Sequence, residues 1–68
     1  MFHSHLTTAL YFYDRGVAAR GRVHVDRALQ VADEQQHEQH AVALVAAMHA
    51  RPAAAAAALR AVLGEVDD

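Results

Sequence analysis

The sequence predicts an all-α protein of two or three helices, spanning about residues 4–20, 25–50 and 52–66 and associating as a helical homodimer. Three observations carry this. Alanine, the strongest helix former, fills 17 of the 68 positions. Turn residues are scarce: Gly16, Gly21, Gly64 and Pro52 are all the glycine and proline there is, too little for a fold of many short strands. Apolar residues recur with a period near 3.6 rather than 2.

The first segment places Leu6, Leu10, Tyr13 and Val17 at i, i+4, i+7 and i+11, with Ser4 as an N-cap candidate. The stripe continues through Gly21, Val25, Ala28 and Ala32, so one long bent helix is compatible with it. The rival is an N-terminal β-hairpin over residues 7–25 followed by two helices. It draws on the β-branched and aromatic run Thr7 to Tyr13 and on the alternation Arg22-Val23-His24-Val25.

The middle segment contains no glycine or proline between Arg22 and Arg51. Asp26 is its N-cap candidate, and its apolar positions return as Ala43, Ala46, Ala47 and Ala50. The polar run from Asp33 to His40 between them reads as a solvated span, with a helix–helix corner as the alternative. Pro52 suits the first turn of a last helix. Six alanines follow it, then a stripe of Leu59, Val62, Leu63 and Val66 that serves either core or dimer packing.

Residues 1–68 are read as one small helical domain. Folding a chain of this mass buries apolar area worth on the order of 100 kcal/mol. Ordering its residues costs about the same. Cysteine is absent, which removes disulfides and thiolate metal sites. Oligomerisation is the remaining inexpensive supplement, and this is the argument for a homodimer.

Charge and composition exclude several function classes. The formal charge is −2 and lysine is absent, which argues against a nucleic-acid binder. The apolar stretch from Ala41 to Leu63 carries His49, Arg51, Pro52 and Arg60, so it does not read as a membrane span. The N-terminal residues have neither a basic region nor a long apolar run, and the expected location is cytoplasmic. Ser4 is the sole serine and no nucleophile-elbow or phosphate-loop motif occurs, so no enzyme activity and no cofactor are expected.

Four groups of residues are candidates for function. Tyr11, Phe12, Arg15, Arg20 and Arg22 combine rings and guanidinium groups, the side chains enriched at interface hot spots, and form the candidate partner-binding set. Glu34, His37 and His40 would share one ridge if the helix ran through them, and this is the alternative, a metal-binding or storage role. His3 stands where an N-terminal copper or nickel chelate would need it. All six histidines together could swing the formal charge from −2 to +4 on acidification.

In size and style the chain resembles small bacterial or phage regulatory proteins that act by covering a surface on a larger host protein. The expected function is accordingly a dimeric interaction module that inhibits or modulates a larger protein, such as a transcriptional regulator or an ATPase.

Overall fold

Gly16 ends the first helix. Its φ of +77° is in the left-handed region that only glycine enters without strain. Around it the Gly16 amide donates to the Tyr13 carbonyl at 3.1 Å and the Val17 amide to the Phe12 carbonyl at 2.9 Å. This pair of bonds is the Schellman closure of a helix C-terminus. The computed structural model describes residues 1–34 and 37–66, and its elements are α1 (Phe2–Asp14), α2 (Ala18–Glu34), a 3-10 turn (Glu38–His40), α3 (Ala41–His49) and α4 (Pro52–Glu65).

The described residues are all-helical, without a strand. The hairpin alternative over residues 7–25 is not formed, because these residues supply most of α1 and the first half of α2. Nor do the two or three expected helices hold their boundaries. The first break falls at Gly16 and not near Gly21. Ser4 lies inside α1, where its carbonyl accepts the Thr8 hydroxyl at 2.9 Å. Asp26 lies inside α2, where its carboxylate accepts the Gln30 amide at 3.3 Å. Neither is an N-cap.

The middle helix over 25–50 is also two helices. α2 ends at Glu34, and the His37 amide donates to the Ala32 carbonyl at 2.7 Å. Of the polar run, Asp33 and Glu34 belong to α2 and Glu38–His40 to the 3-10 turn, while residues 35 and 36 lie outside the described residues. The last boundary is where the sequence placed it. Arg51 is extended, as a residue before proline must be, and Pro52 opens α4 at a position whose amide needs no partner.

α1 and α2 form an antiparallel hairpin, with Tyr13 against Gly21 near the turn and His5 beside His24 further from it. α4 packs across α1, and α3 packs on α4 and α2. Gly21, Val25, Ala28 and Ala32 are the buried residues of α2, the same stripe the periodicity marked. Phe2, Leu6, Val25, Leu44 and Leu59 are the largest fully buried side chains, and small alanines such as Ala28, Ala55 and Ala56 fill the space between helices. Leu59 and Val62 are buried in this core, with Leu63 and Val66 packed at its edge. The α4 stripe thus serves the chain's own core.

The accessible surface is 4175 Å², close to the roughly 4,200 Å² expected of a compact monomer of this mass. No helix of the described residues is long and apolar enough to cross a membrane.

Candidate functional site

The described residues enclose no pocket, so what they offer a partner is surface. The densest grouping of large exposed and half-exposed side chains lies on the α1/α2 hairpin. It follows from helix geometry: residues 5 and 12 on α1 are two turns apart, and residues 20, 24 and 27 on α2 share one ridge.

Phe12 is half-buried at the centre of this face. The His24 ring stacks on it with centroids 5.6 Å apart and planes 10° from parallel. The Arg20 guanidinium lies 5.9 Å from the Phe12 centroid. Tyr11 meets Phe12 edge-on at 5.4 Å and is itself covered by the Arg15 guanidinium at 4.5 Å. On the other side His24 stacks with His5 at 5.9 Å. Each cation–ring contact is worth about 0.5–1 kcal/mol at an exposed site. Together they hold long side chains in place before any partner arrives.

The face is cationic. Arg15, Arg20, Arg22 and Arg27 against Asp14 and Asp26 leave a formal +2 over residues 1–27, while the rest of the chain carries −4. Asp14 is engaged elsewhere, accepting Arg60 Nη2 at 2.6 Å across to α4. Asp26 accepts Gln30. The ion pairs among the described residues are Asp14–Arg60 and His40–Glu65, so none of them neutralises Arg15, Arg20 or Arg27. His5 protonates less readily than an ordinary histidine, because of its burial and then the repulsion from His24, Arg27 and the amino terminus. The Nδ1 atom of His24 is buried without a hydrogen-bond partner among the described residues.

The structure brings together Tyr11, Phe12, Arg15 and Arg20 from the sequence-derived set. Arg22 is exposed but stands about 200° around α2 from Arg20, and its charge acts instead on Tyr13. Burial raises the pKa of the Tyr13 phenol and Arg22 partly opposes this. Sequence reasoning missed His5 and His24 and left Arg27 out of the partner-binding set. His5 lies two turns from Phe12 on the same helix, whereas His24 and Arg27 reach this face only because α2 folds back on α1.

The Glu34, His37 and His40 ridge does not exist, since α2 ends at Glu34. The His37 ring stacks on Phe2 at 4.3 Å, and the His40 ring follows at 6.2 Å. His40 is buried, and its Nδ1 lies 3.4 Å from a Glu65 carboxylate oxygen. These histidines close the end of the bundle under the corner. His3 is exposed in the first turn of α1. Among the described residues no three histidine, aspartate or glutamate side chains are grouped to hold a metal ion.

No family model matches the chain, and no curated protein or solved structure matches it either.

Proposed function

We propose that this protein is a small helical interaction module that binds a larger protein through the α1/α2 face and thereby inhibits or redirects it. The observation that carries the reading is the pre-ordered set of Arg15 on Tyr11 and Arg20 on Phe12. Rings backed by guanidinium groups, with no internal carboxylate to satisfy them, are the chemistry of interface anchors. A transcriptional regulator or an ATPase with an acidic surface is the kind of partner that suits it. The positive face would also speed encounter with such a surface.

A homodimer belongs to the same proposal, with its interface moved. The α4 stripe is spent on the core, whereas α3 leaves Val42 82% and Val45 45% exposed. No arginine, aspartate or glutamate occurs from Gln39 to Ala50, so two copies of this face meet without charge repulsion. The α3 face lies on other helices than the partner face, which leaves both available at once.

The test is capture from a lysate of the source organism, with wild-type protein and the Phe12→Ala/Arg20→Ala variant as parallel baits. A protein retained by the first and lost by the second, with unchanged helicity of the variant, supports the reading. Identical capture by both baits refutes it.

A further inference from the structure

The partner face holds two stacked histidines, and nothing in the function proposed above uses them. We propose, resting on that reading of the α1/α2 face, that its ligand is an acidic polypeptide segment and that capture takes up a proton at His5, so that binding tightens on acidification.

The geometry supports this in three ways. First, the His5 and His24 rings are stacked 5.9 Å apart, and the groups facing them are Phe12, Arg20 beside Phe12, Arg27 and the amino terminus. Every charged group in that set is cationic. In the free protein, charging the His5 ring adds a positive group to a positive cluster, and the direction found for His5 agrees. Secondly, the ion pairs among the described residues leave Arg20 and Arg27 without a carboxylate. A ligand carboxylate laid along the face supplies the counter-charge that this cluster lacks. Thirdly, the rings suit a polypeptide better than a nucleic acid. Phe12 is half-buried and engaged by His24 and Arg20, and the Tyr11 ring carries Arg15, which leaves little ring face for bases to stack upon.

Whatever raises the proton affinity of the His5 ring on binding must, by linkage, raise the affinity of the ligand at low pH. A gain of one pKa unit at one ring corresponds to about a tenfold change in binding.

The experiment is fluorescence anisotropy with labelled poly-L-aspartate, whose carboxylates stay ionised at both about pH 5.5 and about pH 7.5. The wild type is expected to bind at least about tenfold more tightly at the lower pH. His5→Gln should reduce that ratio to near one. His3→Gln removes one titrating group elsewhere and should leave it intact. Equal ratios in the two variants would overturn the proton linkage and assign the effect to net charge. The reading of the face is tested separately by Phe12→Ala/Arg20→Ala. Loss of probe binding at both pH values upholds that reading whatever becomes of the histidines, and undiminished binding removes it. A single-stranded oligonucleotide that binds more tightly than the peptide at matched charge would overturn the assignment to an acidic polypeptide.

Discussion

Tyr13 and Gly21 lie so close that a Cβ on Gly21 would sit 2.7 Å from Tyr13 Cε2. This contact sets how near α1 and α2 approach, and so whether Phe12 and His24 can stack on the opposite side of the seam. Gly21→Ala gains roughly 1 kcal/mol of helix propensity, but Tyr13 is buried and its ring cannot swing clear. Overpacking of this kind costs about 1–3 kcal/mol. The net result should be a lower midpoint in urea, whereas Gly64→Ala should raise it, because nothing lies within 4 Å of that position. A stabilised Gly21→Ala would show that the seam is looser than described.

Leu59 tests the core. It is fully buried, while Leu63, one turn further along the same stripe, is only packed at the edge. Leu59→Ala should cost about 2–5 kcal/mol, a large part of the roughly 3–10 kcal/mol available to a chain of this length. Circular dichroism should show it largely unfolded near room temperature, with Leu63→Ala distinctly milder. The reverse order would mean that α4 is rotated.

Stability should depend on pH through His5. Its folded-state pKa is lowered, by burial first and then by His24, Arg27 and the amino terminus. As pH falls, the unfolded chain therefore binds the proton before the folded one does. The contribution of His5 is complete above about pH 6.5 and is lost as pH falls through the lower folded-state value. The difference in urea midpoint between wild type and His5→Gln should open in favour of the variant below that pH. A constant difference from neutral to acid pH would contradict the direction. Tyr13 acts at the other extreme: its raised value withdraws stability as pH climbs past the phenol's ordinary range.

Val42 and Val45 test the dimer. At micromolar concentration, sedimentation should give about 15 kDa, twice the 7.4 kDa of the chain. Val42→Asp/Val45→Asp should sediment as a monomer with unchanged helicity. Monomeric wild-type protein would dispose of the dimer and leave the partner face untouched.

What the sequence disclosed was faces, and what it concealed was corners. The period of Gly21, Val25, Ala28 and Ala32 identified the buried side of α2 correctly, since burial repeats with the helix. The same stripe runs straight through Gly16, so periodicity alone could not show that the chain reverses there. The signal was local: a glycine followed by Val17, three residues past the end of an aromatic run, is the pattern of a Schellman closure. The end of α2 at Glu34 carried no glycine or proline signal at all. It is held by Phe2 under the rings of His37 and His40, a contact between the two ends of a long sequence separation that no local pattern announces. The candidate face was half legible for the same reason. Tyr11, Phe12 and Arg15 are neighbours in sequence and His5 shares their helix, but Arg20, His24 and Arg27 join them only once the hairpin is closed.

The most direct measurement is the affinity of the captured partner for Phe12→Ala/Arg20→Ala against wild type, with Arg22→Ala and Val42→Asp/Val45→Asp alongside. Removing a ring and its guanidinium from the centre of an interface should cost more than about 2 kcal/mol, with the far-ultraviolet spectrum unchanged and Arg22→Ala nearly silent. If the Phe12/Arg20 variant binds as wild type does while the α3 variant fails, the partner face is on α3 and the account of the α1/α2 hairpin is wrong.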